Sequence, residues 1–89
     1  MEYFVYVLIC IDRHGFRTYV GWTLDPERRL AEHNAGRGAR STRGRVWRLL
    51  HTEKFGSRRE AMSREWHLKR DRAFRKQLTD GWLAARRAS

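Results

Sequence analysis

One cysteine, one proline and three lysines are all that the 89-residue sequence holds of those types, and each scarcity excludes something. Cys10 alone rules out an internal disulfide; lying in an apolar run, it is expected to be a buried small hydrophobe rather than a nucleophile. His14, His33, His51 and His67 are scattered, so no Cys/His spacing resembles a zinc site. No stretch approaches the roughly 20 apolar residues that span a bilayer. The start lacks a basic segment and a cleavage site, so a soluble, cytoplasmic protein with no membrane partner is expected. With one Pro and seven Gly there is no low-complexity segment, linker or internal repeat. The length suits a single domain over residues 1–89 and not two.

Acidic residues are scarce as well. Twenty Lys+Arg face ten Asp+Glu, a formal net charge of +10 with a sequence pI near 11.2. All the basic residues except Lys54, Lys69 and Lys76 are arginines, whose planar fork of donors matches phosphate oxygens in pairs. A bias of Arg over Lys can follow from genome composition alone, but a net excess of this size does not, and it selects polyanionic partners, nucleic acid first. The excess is concentrated. No acid lies between Glu32 and Glu53, yet Arg37, Arg40, Arg43, Arg45 and Arg48 all do. Gly36, Gly38 and Gly44 keep that stretch pliable and Ser41 and Thr42 add neutral donors, the composition of a loop that follows a phosphate backbone.

Along the chain, Tyr3 to Ile11 is aromatic and β-branched and reads as a central strand buried on both faces. Asp12 to Gly15 supplies a turn, and Arg17 to Trp22 a second strand that closes a hairpin. Asp25 caps and Pro26 opens a helix that runs to about Asn34, before Gly36 and Gly38. Arg37 to Arg45 is expected to be a loop and Val46 to Phe55 a third strand. Ser57 and Glu60 form a capping box for a helix from Arg58 to Arg70. A last helix covers Arg72 to Ala85, with Phe74, Leu78, Trp82 and Leu83 on its apolar side. The order β-β-α-β-α-α describes an α+β fold, a small three-stranded antiparallel or mixed sheet flanked by helices.

Within this frame a few residues can carry chemistry. Tyr6 and Tyr19 approach each other if the first two strands pair, although buried tyrosines usually serve as core aromatics. Arg29 and His33, spaced i,i+4, share one face of the first helix and together suit an anionic group; the competing reading is a solvated polar face. Glu65 has Ala61, Met62, Leu68 and Lys69 as helical neighbours, three of them apolar. A carboxylate beside a core-facing stripe is paired or binds a hard cation such as Mg²⁺; a surface ion pair with Lys69 is the equal alternative.

These segments resemble the GIY-YIG nucleases. Val5-Tyr6-Val7 is similar to the GIY element and Tyr19-Val20-Gly21 to YIG, while Asp25 to Asn34 resembles the helix whose arginine precedes a histidine by four residues. Glu60 to Lys69 resembles the later helix that carries a metal-binding glutamate. The likeness spans nearly the whole chain and is nearest to the small stand-alone bacterial members. It implies a DNA endonuclease with a one-metal mechanism, structure-selective or single-strand acting, in repair or recombination. Glu65 then holds one Mg²⁺ or Mn²⁺, Tyr19 activates or orients the water with Tyr6 nearby, either tyrosine being open as the base, Arg29 stabilises phosphate charge, and His33 assists the tyrosine or the water. Arg37, Arg40, Arg43, Arg45, Arg48 and Lys69 contact DNA, and any site specificity comes from a protein partner. On this reading Arg29 or the metal favours the phenolate form of a tyrosine. Two positions depart from the pattern: Val5 replaces the first glycine, and Trp22 stands where some relatives carry a lysine, where it either stacks on a base or fills the core. The alternative function is a catalytically silent basic nucleic-acid-binding module.

Overall fold

A sequence whose first strand is apolar on both faces needs cover on both sides, and the chain supplies one helix for one face and two for the other. The computed structural model describes residues 1–88; Ser89 lies outside the described residues. Its elements are β1 (Tyr3–Asp12), β2 (Gly15–Thr23), α1 (Pro26–Asn34), a 3-10 turn (Arg40–Thr42), β3 (Arg48–Phe55), α2 (Arg58–Arg70) and α3 (Arg72–Ala88). The sheet is antiparallel throughout in the order β2-β1-β3, so β1 is central and Val5 to Cys10 are all buried. Gly15 closes the hairpin at φ +123°, a conformation that side chains disfavour.

The alternation along β1 assigns the two faces. Val5 and Val7, with Val20 across the ladder, pack against Ala61 and Leu68 of α2 and against Phe74 and Leu78 of α3. Tyr6, Leu8 and Cys10 point the other way, toward Trp47, Tyr19, Leu30 and Leu49 on the α1 side. A bulge in β3 between its pairings with Val7 and Leu8 adds Leu50 to the strand, which lets Leu49 and Leu50 serve opposite cores. Trp22 belongs to the α2–α3 core, tilted on Tyr3 at 6.3 Å with Arg58 over its ring at 5.3 Å, so it fills space rather than offering a stacking face.

The helix starts form as local chemistry dictates. Asp25 accepts from the Arg28 N–H, and the Ser57 hydroxyl accepts from the Glu60 N–H while donating to its carboxylate. The position of α2 is fixed by Glu53 on β3, which receives Arg64 Nε at 2.8 Å and Nη2 at 3.1 Å and shares His51 at 2.8 Å. That two-pronged contact is directional and fastens the helix that carries Glu65.

Several boundaries differ from expectation: β1 extends to Asp12 and β2 spans Gly15–Thr23 rather than Arg17 to Trp22, the two strands staying paired down to the turn. β3 begins at Arg48 rather than Val46, because Trp47 is occupied elsewhere: its N–H donates to Asn34 Oδ1 at 2.7 Å and its carbonyl accepts from Asn34 Nδ2 at 3.0 Å. α3 continues past Ala85 to Ala88 through residues that are strong helix formers. Among the described residues no helix is long and apolar enough to cross a membrane.

Candidate active site

Tyr6 lies opposite Gly21 in the hairpin register and Tyr19 lies opposite Leu8, which makes the tyrosines diagonal neighbours on the α1 face. Their ring centroids are 6.3 Å apart. Gly21 is there for room: the phenol of Tyr6 crosses it so closely that a Cβ at this position would collide with Oη and Cζ. His33 enters from α1, its ring 4.9 Å from that of Tyr19 and 5.9 Å from that of Tyr6.

His33 has no exposed surface, and both its nitrogens are used. Nε2 is 2.9 Å from Tyr6 Oη, and Nδ1 is 2.8 Å from Thr42 Oγ1. The Thr42 hydroxyl donates its only proton to the Ala39 carbonyl at 2.8 Å, so toward His33 it can only accept. Nδ1 therefore carries the imidazole proton, and neutral Nε2 accepts from Tyr6. The result is a directed chain: the Tyr6 hydroxyl donates to His33, His33 donates to Thr42, and Thr42 donates to the Ala39 carbonyl. Gly38 closes it from the far side, where its backbone lies against the His33 ring with no space for a Cβ. Trp47 Nε1 holds the Thr42 carbonyl at 2.9 Å. His33 spends both nitrogens inside the protein, so of the pair only Arg29 keeps access to solvent.

The electrostatics also differ from the expected balance. Burial, opposed by Arg29, pushes the Tyr6 pKa up to about 12. Tyr19 is raised as well, mainly by burial, with Arg29 lowering it and Glu65 raising it. The Arg29 guanidinium acts in the expected direction on both phenols but is outweighed, and at neutral pH both are held as phenols. Burial, and then Arg29, lower the His33 pKa below its ordinary 6.5. The unfolded chain therefore takes up this proton first as pH falls, so the stability that neutral His33 confers is complete above about pH 6.5 and is lost progressively below it. Thermal denaturation at about pH 7 and about pH 5.5 is expected to show this loss. Glu53, whose pKa is lowered by Arg64, loses its contribution only below its ordinary 4.5 and leaves that window clear. A midpoint that is flat or rises toward pH 5.5 would contradict the burial assigned to His33.

Glu65 reaches the same region from α2. Its charge raises the pKa of both tyrosines, and its side chain is 21% exposed, so it is half-buried as the apolar neighbours predict. Lys69 Nζ is 3.9 Å from Oε2, a long ion pair. Glu65 is thus both half-buried beside the core and loosely paired with Lys69. Among the described residues no group of three or more His, Cys, Asp or Glu is arranged around a metal ion. A single hard carboxylate with a loose partner does fit an ion of the magnesium kind, which takes most of its ligands from water and phosphate; it does not fit zinc. Arg29 is half-buried and donates to Glu32 at 3.1 Å.

The basic residues divide. Lys69 lines a recess of about 250 Å³ at the outer edge of β2 with Thr18, Tyr19, Val20 and Arg75, and so stands next to the tyrosines. Arg37, Arg40 and Arg43 are exposed on the loop that Gly38 and Thr42 dock onto His33. Arg45 instead donates to Asp12 at 3.0 Å, so its charge is compensated. Arg48, opposite Ile9, is on the face away from the tyrosines, where it lines a recess with Ile9, Val46 and Trp82. Strand parity decides that, and it removes Arg48 from the expected loop surface. Thr42 and Gly38 were readable only as loop polarity and loop flexibility; their contact with His33 leaves no local signature.

The sequence model of the GIY-YIG catalytic domain matches residues 2–77. A UPF0213 protein of Natronomonas pharaonis is 49% identical over 69 residues, covering 76% of this chain and 78% of the relative. A UPF0213 protein of Lacticaseibacillus paracasei is 42% identical over 77 residues, 85% and 83% of the two chains. The solution NMR structure of a UPF0213 protein from Bacillus halodurans superposes with a TM-score of 0.51 at 40% identity, covering 90% of this chain and 84% of that one. The family is one of nuclease domains that act on DNA and generally use a divalent metal ion. With a catalytic-domain match over most of its length and relatives this similar, the chain belongs to the GIY-YIG family.

Proposed function

We propose that this chain is a metal-dependent DNA endonuclease built on one domain over residues 1–89. It hydrolyses phosphodiester bonds with Mg²⁺ or Mn²⁺ at Glu65, acts on branched or single-stranded DNA in repair or recombination in the cytoplasm, and relies on a protein partner for targeting. The observation that carries this reading is the directed chain from Tyr6 through His33 to Thr42, buried beside Arg29 and within electrostatic range of Glu65. A merely basic binding surface has no use for a buried tyrosine–histidine pair held in one tautomer.

Each residue has a role that its surroundings permit. Tyr19 is partly exposed and lines the recess, so its hydroxyl orients the attacking water. Tyr6 is 1% exposed and stands behind it, its hydroxyl donating to His33 while its oxygen accepts from the Arg29 guanidinium. His33 assists Tyr6 rather than the water, since no solvent reaches it. Arg29 meets the phosphate charge, and Lys69, Arg37, Arg40 and Arg43 hold the flanking backbone. A divalent ion at Glu65 supplies positive charge against the scissile phosphate.

The test is cleavage of labelled single-stranded, duplex and flap DNA with Mg²⁺ or Mn²⁺. Wild type is expected to cut at least one of these. Tyr19→Phe is expected to reduce the rate by about 10²–10⁴-fold, and Tyr6→Phe by less. Binding without cutting on every substrate would identify the silent nucleic-acid-binding module instead.

A further inference from the structure

The recess beside Tyr19 does not end there. Its walls Thr18 and Arg75 are shared with a second recess of about 360 Å³, lined also by Phe16, Arg72, Ala73, Lys76 and Thr79. That volume is within the range of small-molecule sites. The two together follow the outer edge of β2, which pairs with β1 on one side only, from the tyrosines to the α3 side of the sheet.

The lining is cationic. Four of its residues are Lys69, Arg72, Arg75 and Lys76, and no acid lines either recess. Arg75 is partly committed, donating to the last carbonyls of α2 at Leu68 and Lys69. Lys69 pairs loosely with Glu65, and Lys76 pairs with Asp80 in an exposed contact that water and a phosphate readily replace. Arg72 has no ion-pair partner among the described residues. Asp71, the nearest other acid in sequence, is turned to the N-terminus of α3, where it accepts from the Phe74 N–H. At the far end Phe16 is 47% exposed on the edge strand, an aromatic face that no core contact explains. Phosphate-matching cations followed by an open aromatic ring are the parts of a single-strand path, because bases stack on rings whatever their sequence while the backbone follows the charges.

We propose that an unpaired stretch of the DNA substrate runs from the Tyr19 site along the edge of β2 and stacks a base on Phe16, with its phosphates against Arg72 and Lys76. This deepens the nuclease reading and rests on it for the origin of the strand at Tyr19.

The experiment measures binding in EDTA by fluorescence anisotropy, using one duplex with and without a single-stranded DNA tail of about six nucleotides. Wild type, Phe16→Ala and Arg72→Gln are compared, both side chains being outside the core. The tail is expected to tighten wild-type binding about tenfold, and Phe16→Ala to lose most of that gain while its blunt-duplex affinity stays within about twofold. Arg72→Gln is expected to lose part of the gain and to flatten its salt dependence. A tail that adds nothing to wild type, or variants that weaken blunt and tailed duplex alike, would overturn the proposal and point to an ordinary electrostatic surface. Cleavage of the same two DNAs with Mn²⁺ is scored separately. Its failure counts against the nuclease reading, whereas the tail effect is read without metal.

Discussion

Glu65→Gln is expected to lower metal-dependent DNA cleavage by about 10²–10³-fold or more while leaving the fold and DNA binding in place. The substitution keeps the size of the side chain and one acceptor oxygen, and replaces the other, with its charge, by a neutral NH2 donor. Stability is expected to change by less than about 0.5 kcal/mol, because the pair with Lys69 is long and half-exposed. The electrostatics make the result diagnostic. The Glu65 carboxylate raises the pKa of Tyr6 and Tyr19, so neutralising it eases ionisation of both phenols. If phenol ionisation alone limited the reaction, the variant would be faster. A large loss with undiminished binding therefore assigns Glu65 to the ion and the phosphate. Cleavage rates, anisotropy and thermal denaturation measured on one preparation check all three parts, and a variant that cuts as fast as wild type would end the role given to Glu65.

Gly21→Ala is expected to destabilise the protein by roughly 1–3 kcal/mol, the range for overfilling a packed core. In a domain of this length each kcal/mol lowers the melting temperature by about 4–8 °C. The strand itself is content with alanine; the obstacle is the buried Tyr6 phenol lying across the glycine. To relieve the collision the phenol must move off His33 Nε2, so cleavage is expected to fall together with stability. Gly81, within α3, is the control, because an added Cβ there meets nothing within 4 Å. Gly81→Ala is expected to stabilise by about 0.5–1 kcal/mol through helix propensity alone. The same chemical change thus has opposite signs at two glycines, and a scanning calorimeter reads both. Equal small effects at the two sites would mean that Tyr6 does not occupy the space over Gly21.

The elements were legible because their causes are local. The unbroken aromatic and β-branched run along Tyr3 to Ile11, the side-chain caps at Asp25 and Ser57, and the turn at Gly15 each act within a few residues. Helix order and the central, doubly buried place of β1 follow from them. The resemblance of the tyrosine and helix segments to GIY-YIG nucleases was equally visible, since it rests on residues at fixed spacing.

What the chain could not declare by itself was decided across long sequence separations. The hairpin register puts Tyr6 over Gly21. The loop folds back so that Thr42 fixes the tautomer of His33, and Asn34 takes the backbone of Trp47 and shortens β3. Strand parity moves Arg48 to the opposite face, and the approach of Asp12 neutralises Arg45. The sign of the tyrosine shifts is of the same kind. The sequence supplies Arg29, which stabilises a phenolate, but desolvation depends on every atom that packs around the ring, and only the assembled fold makes burial the larger effect.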